Sequence, residues 1–221
     1  MGHFTLVFSK EEAVEYTIDG LIHEAQSMMP KAEFQRLKEN RPEHHAPLWH
    51  VYGVLGHAYA VIEASKLLKE ATDVDIVLEA VLHDIGKFYQ FRAALRTFDR
   101  GGDPSPIYRG HEALSSRRAR KLKLHEDSVA AIEWHMFGYL PIEDDTLLDK
   151  LSNTNAVLKW LVLCTADAVG KGFTPMQTEQ RRAIIPQRFE RIAKRVGISE
   201  RIVRTCCEAV TAWDPPVKSI F

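Results

Sequence analysis

The chain of 221 residues carries 29 Lys and Arg against 30 Asp and Glu, which gives a formal net charge of −1. This balance excludes a surface that is basic over its whole extent, and the 45% hydrophobic content excludes a disordered chain. The three cysteines, Cys164, Cys206 and Cys207, show no CxxC spacing and predict neither a disulfide framework nor a zinc knuckle. The apolar run near the N-terminus is too short for a signal peptide or a membrane span, so we expect a cytoplasmic protein.

Apolar residues recur at three- and four-residue intervals along most of the chain, which predicts an all-α fold. Breakers and capping residues divide this pattern into helices over 11–29, 54–70, 110–124, 126–136 and 153–169, the last ended by Gly170 and Gly172. A further helix begins at 73 or 75 and continues through residue 82, with Gly86 as its terminator. We expect a turn at the acidic segment 143–145, and two basic helices from 177 to 213 joined at 197–199. The resulting organisation is an N-terminal helical segment over 1–49, which packs on the core, a core over 50–175 and a C-terminal helical extension over 176–221.

Ten histidines are unusual in this composition, and most of them lie between positions 44 and 135. The pair His83 and Asp84 ends the apolar run 76–82, where polar side chains are costly unless a partner such as a metal ion satisfies them. Similar residues with apolar flanks occur on separate predicted helices, at His57, His111, His135 and Asp167. Their spacing of 24 to 32 residues predicts about one metal ligand per helix, converging inside a bundle.

The order His, His-Asp, His, His, Asp resembles that of the HD-domain metal-dependent phosphohydrolase superfamily, over about residues 50–172. The segments LEAVLHDIGKF, GHEALSS, LWHVYGVLGH and TADAVGKG are similar in particular to the HD module of bacterial tRNA nucleotidyltransferases. The resemblance implies an HD-domain helical bundle with a C-terminal helical extension.

The resemblance also implies a metal-ligand set. One divalent ion would be held by His57, His83, Asp84 and Asp167, and a second by His111 and His135, with Asp84 bridging. Mn, Fe, Ni, Co, Mg and Zn all suit such mixed nitrogen and oxygen ligands. A lone His57 or His135 beside apolar residues is more often a hydrogen-bonded, half-buried histidine than a ligand, and Asp84 or Asp167 alone could cap a turn, so only the joint pattern favours the metal.

A pair of ions suits the hydrolysis of a phosphate monoester or diester, for example a nucleotide or a nucleic-acid end. In this interpretation Asp84 bridges the ions and orients the nucleophile, and Lys87 holds a phosphate oxygen. Glu112 is either a partner of His111 or proton acceptor, or an acidic residue favoured at a helix N-terminus. Family likeness places His50 near the pocket mouth and Lys171 near the substrate, although Lys171 is equally well explained as a lysine at a helix C-terminus.

Three alternatives remain open at this point. HD-fold mixed-valent diiron oxygenases present nearly the same ligands, and the Gly-His-Glu-x-x-Ser and Ala-Asp-x-x-Gly-Lys segments favour the hydrolase. The segment 188–210 resembles a DNA-binding helix-turn-helix, with Ala193, Gly197 and Val203 at the expected spacing. The basic run 117–123 is either a solvated helix face or a guide for a polyanionic substrate. We expect no function for His44, His45 and His125.

Overall fold

The computed structural model describes residues 46–138, 140–170 and 175–212, and all the regular elements in these ranges are helical. The α-helices in chain order are α1 (Ala46–Thr72), α2 (Val77–Leu82), α3 (Ile85–Asp99), α4 (His111–Lys121), α5 (Glu126–Trp134), α6 (Asp144–Leu151), α7 (Thr154–Gly170), α8 (Pro175–Val196) and α9 (Glu200–Ala212). Short 3-10 helices cover Ser105–Tyr108 and His135–Gly138. The predicted all-α fold is confirmed, and the predicted helix over 11–29 lies outside the described residues. Among the described helices, none combines the length and apolar character needed to cross a bilayer.

Helix α7 is the centre of the bundle. Its sequence is apolar around most of its circumference, as expected of a helix covered on all sides. It packs against α1, α5, α8 and α9, and Trp160, Leu161 and Leu163 are fully buried there. The side-chain oxygen of Asn153 accepts a hydrogen bond of 2.9 Å from the N–H of Ala156, which caps the start of the helix. The capped start and the apolar circumference set where α7 lies, and with it the position of Asp167 in its last turn.

Helices α2 and α3 are separated by only two residues, His83 and Asp84. The prediction that Gly86 ends this helix is wrong, because Gly86 lies in the first turn of α3. A Cβ at this position would overlap the carbonyl oxygen of His111 and lie 2.8 Å from its carbonyl carbon. The Gly86 N–H also donates a hydrogen bond of 2.9 Å to the Ser115 hydroxyl. Glycine is therefore needed here so that α3 can pack closely on the start of α4.

The acidic segment 143–145 begins a helix, so the predicted turn is also wrong. Asp144 and Asp145 lie in the first turn of α6, where the helix dipole favours negative charge. The Asp144 carboxylate accepts a hydrogen bond of 3.0 Å from the Arg191 guanidinium, and Asp145 pairs with Arg195. Helix α8, which carries both arginines and packs directly on α7, is thus also linked to α6.

Helices α8 and α9 meet at residues 197–199, as the sequence predicts. Gly197 has a φ of +75°, and the N–H of Ile198 returns to the carbonyl of Ala193, which ends α8. Helix α9 packs on α7 and α1 through buried side chains, namely Val203, Cys206 and Val210. Its exposed side carries charges of both signs, at Glu200, Arg201, Arg204 and Glu208. This mixture is typical of a solvated helix face, and DNA binding by the segment 188–210 stays a prediction.

Candidate metal centre

The structure brings all six predicted ligand residues into one buried cluster. His57 comes from α1, His83 and Asp84 from the α2–α3 junction, His111 from the start of α4, His135 from the 3-10 helix after α5, and Asp167 from α7. None of the six is more than 5% exposed. The separate helices predicted from the spacing do converge, because the apolar faces beside each ligand pack into the common core.

The six residues form two groups that share Asp84. One group holds His57, His83, Asp84 and Asp167, the other holds Asp84, His111 and His135, and within each group the ligand atoms lie within 4.8 Å of one another. The Asp84 Oδ2 atom lies 3.4 Å from the Nε2 of His57 and 3.5 Å from that of His83. The Oδ1 atom lies 2.9 Å from the Nε2 of His111 and 3.6 Å from that of His135. Each oxygen of this single carboxylate therefore faces a different group.

The histidine rings are all oriented by backbone carbonyl groups. His83, His111 and His135 each donate from Nδ1 to the carbonyl three residues earlier, over 2.7, 2.8 and 2.7 Å. The Nδ1 of His57 makes the equivalent contact with the carbonyl of Gly170, over 3.2 Å. Because a carbonyl oxygen can only accept, the proton of each neutral ring is on Nδ1. Every Nε2 then presents a lone pair to the centre of the cluster.

Lone pairs of nitrogen thus meet the oxygens of ionised carboxylates, an arrangement that is repulsive without a cation. The buried Nε2 atoms of His83, His111 and His135 and the Oδ1 of Asp84 have no hydrogen-bond partner among the described residues. Buried polar atoms of this kind are costly unless they are satisfied. A divalent cation in each group would satisfy them, and imidazole nitrogen with carboxylate oxygen is a ligand set that such cations accept.

Asp84 and His135 are in the protonation states that metal binding requires. Burial raises the pKa of Asp84, but the positive charge of Lys87 is the largest influence that lowers it, and the net value lies well below the ordinary 3.8. Burial lowers the pKa of His135 from 6.5 to about 4. At neutral pH Asp84 is therefore ionised and His135 is neutral, as metal binding requires.

The family model described as HD domain matches residues 50–169, which is more than half of the chain. The chain belongs to the HD-domain family. No curated protein and no solved structure matches it. HD domains bind divalent metals, and the buried histidines and aspartates of this HD domain provide groups that could hold them.

The other predicted site residues of the HD domain take different positions. The Lys87 ammonium, 16% exposed, pairs with Asp84 Oδ2. Glu112 Oε2 lies 3.2 Å from the Nδ1 of His111, a position that suits a partner of that ligand. His50 lies in α1, seven residues before His57, and its side chain and Lys171 fall outside the described residues.

Two expectations from the sequence concern residues on the surface of the HD domain. The side chain of His125 is 77% exposed, in agreement with a residue that needs no role at the centre. In the basic run 117–123 the side chains are exposed except that of Ala119, and Arg120 pairs with Glu133. Guidance of a polyanionic substrate by this run stays a prediction.

Sequence reasoning did not identify Tyr108 as a site residue. Tyr108 is 7% exposed, and its buried hydroxyl has no hydrogen-bond partner among the described residues. Burial and the nearby Asp84 carboxylate raise the pKa of this hydroxyl, so it remains a donor at neutral pH. The only signal in the sequence is its place three residues before His111, in a loop rich in proline and glycine.

Proposed function

We propose that this HD domain is a metal-dependent phosphohydrolase with a dinuclear centre, acting on a phosphate monoester or diester. Its substrate in this proposal is a nucleotide, a nucleic-acid end or another phosphate ester. The likeness of the GHEALSS and TADAVGKG segments to the HD modules of tRNA nucleotidyltransferases supports the nucleotide class. Belonging to the HD-domain family supports the reaction type.

The observation that carries the proposal is the position of Asp84 between two groups of ligands. Its two oxygens face different sets of histidine Nε2 atoms, and those of His83, His111 and His135 have no hydrogen-bond partner among the described residues. A carboxylate that bridges two cations has this geometry. Two divalent cations held there would neutralise phosphate oxygens and lower the pKa of an attacking water.

The residues around the ligands have distinct roles in the proposed reaction. Lys87 offers its charge beside Asp84, where it can hold a phosphate oxygen once a substrate enters. The Tyr108 hydroxyl, which has no partner among the described residues, can donate a hydrogen bond to another phosphate oxygen. Glu112 acts on the Nδ1 side of His111 and keeps that ring oriented.

The proposed function is tested by metal analysis of the purified protein combined with a panel of phosphatase and phosphodiesterase substrates. Asp84→Ala removes the residue shared by both groups and is expected to abolish metal retention and turnover together. His125→Ala removes an exposed histidine and is expected to retain both. Equal turnover in wild type and Asp84→Ala would overturn the proposal.

The same preparation separates the hydrolase from the diiron oxygenase, whose ligands are alike. Hydrolysis of a phosphate monoester or diester stimulated by added Mn²⁺ or Ni²⁺ supports the hydrolase. Stoichiometric iron together with oxygen consumption, and no hydrolysis of either ester class, would assign the centre to oxygenase chemistry instead.

A further inference from the structure

A second polar cluster lies in the core, outside the ligand set. Glu79 of α2 and Ser128 of α5 are only 2% and 4% exposed, and Lys159 of α7 reaches them with a side chain that is 19% exposed. The Ser128 hydroxyl donates to Glu79 Oε1 over 2.6 Å, and the Lys159 ammonium donates to the Ser128 oxygen over 2.9 Å. Lys159 also pairs directly with Glu79 Oε1. Three side chains far apart in sequence therefore connect three helices.

Each member of this cluster is on the same helical face as a predicted metal ligand. Glu79 precedes His83 by four residues, Ser128 precedes His135 by seven, and Lys159 precedes Asp167 by eight. His83 and His135 both continue the helical backbone conformation beyond the helices that precede them. In an α-helix these intervals return to one face after one or two turns, about 6 to 12 Å along the axis.

The cluster is poorly explained as a source of stability. Glu79 Oε2 is buried and has no hydrogen-bond partner among the described residues, so the carboxylate is only partly compensated. Removing two charges from water costs about as much as their attraction returns, and apolar residues of similar size often stabilise a core better. What charged hydrogen bonds supply in addition is directional restraint between the elements they join.

We propose that Glu79, Ser128 and Lys159 are positioning residues, which hold α5 in register against α2 and α7 so that His135 reaches the ligand group it shares with Asp84. The inference rests on the proposed metal centre. Within this cluster Ser128 is the link to α5, since the pair of Glu79 and Lys159 connects α2 with α7 without it. It adds the restraint towards α2 to the bond that the Trp160 indole N–H already donates from α7 to the carbonyl of Trp134, over 2.9 Å. Loss of Ser128 should therefore affect the ion bound by His135 more than the ion bound by His57.

The test compares Ser128→Ala with Ser65→Ala by calorimetric titration of the metal-free proteins with Mn²⁺. Ser65 is a matched control because it is fully buried and its hydroxyl donates within α1, to the carbonyl of Ile62. In Ser128→Ala the second Mn²⁺ is expected to bind about 10- to 100-fold more weakly while the first binds as in wild type. The electron paramagnetic resonance signal of a coupled Mn²⁺ pair should be lost at Mn²⁺ concentrations that saturate wild type. Ser65→Ala should keep both ions and the coupled signal.

A double variant separates positioning from stability. Glu79→Met with Lys159→Met replaces both buried charges, and the oxygen that accepts from Ser128, by apolar side chains, so its free energy of unfolding should approach or exceed that of wild type. The second Mn²⁺ should nevertheless bind more weakly to this double variant than to wild type. Wild-type affinity for the second Mn²⁺ in the double variant would overturn the positioning role. Two ions bound equally well by wild type and Ser128→Ala would also overturn that role while leaving the dinuclear centre intact. A single ion bound by wild type would overturn the dinuclear proposal and, with it, this inference.

Discussion

Replacing Gly86 with alanine tests whether the close packing of α3 on α4 sets the geometry of the second ligand group. The added Cβ would overlap the carbonyl oxygen of His111 and lie 2.8 Å from its carbonyl carbon and 3.0 Å from its Cα. Because ordinary contacts begin at 3.4 Å, the carbonyl carbon alone requires a shift of about 0.6 Å between α4 and α3, and the carbonyl oxygen, which lies nearer, requires more. The contacted atoms belong to the backbone, so rotation of a side chain cannot relieve the overlap.

This displacement acts directly on two predicted ligands. Asp84 lies just before Gly86, and His111 is the residue that the new Cβ would push away. The Asp84 Oδ1 and His111 Nε2 atoms are now 2.9 Å apart. Metal–ligand distances tolerate deviations of only about 0.2 Å, so a shift of this size should break the second group. The overpacking itself should lower the free energy of unfolding by about 1 to 3 kcal/mol.

Urea unfolding of the metal-free protein and Mn²⁺ titration together measure both effects. Gly101→Ala is the control, because Gly101 has a φ of +76° and nothing within 4 Å of an added Cβ. Its left-handed backbone should cost about 1 to 2 kcal/mol, a loss of stability similar to that expected for Gly86→Ala, without moving a ligand. We expect Gly86→Ala to lose the second Mn²⁺ and Gly101→Ala to keep it. Binding of both ions by Gly86→Ala with wild-type affinity would refute the reasoning.

Three further predictions concern other parts of the centre. A Cβ on Gly170 would lie 2.8 Å from the backbone nitrogen of Val61, so Gly170→Ala should displace α1 and weaken binding of the first Mn²⁺ in the same titration. Wild-type affinity for this ion would contradict a displacement of His57. Tyr108→Phe should lower kcat about 10-fold at unchanged ion stoichiometry, and an unchanged kcat would show that the hydroxyl does not contact the reacting phosphate. The pKa of His135 falls from 6.5 to about 4 on folding, so the unfolded chain binds more protons than the folded chain between these pH values. The metal-free protein should therefore lose on the order of 3 kcal/mol of its free energy of unfolding as the pH falls across this range. Urea unfolding at several pH values should show that the free energy of unfolding depends less steeply on pH in His135→Asn than in wild type. An equal slope in the two proteins would show that His135 is not the source of this pH dependence.

The amino-acid sequence by itself determined the all-α fold and the residues that assemble in the centre. Helical periodicity is a local property, so it can be recognised within a single segment. The polar residues His83 and Asp84 at the end of an apolar run are likewise visible without a structure, because their position is costly unless they are satisfied. The family likeness then predicted which ligands share Asp84, and the two groups in the structure have that composition.

Only the tertiary structure decided the features that depend on how helices pack against one another. In the sequence Gly86 indicates a helix end, because glycine commonly occurs there, whereas in the structure it allows contact with the backbone of His111, 25 residues later. The buried Tyr108 hydroxyl, without a hydrogen-bond partner in the described part of the chain, leaves no local pattern in the sequence, and neither does the link between Glu79 and Lys159, 80 residues apart. Contacts of this kind arise from the relative placement of whole helices, which is set by the sum of many packing interactions and not by the spacing of residues within any one segment.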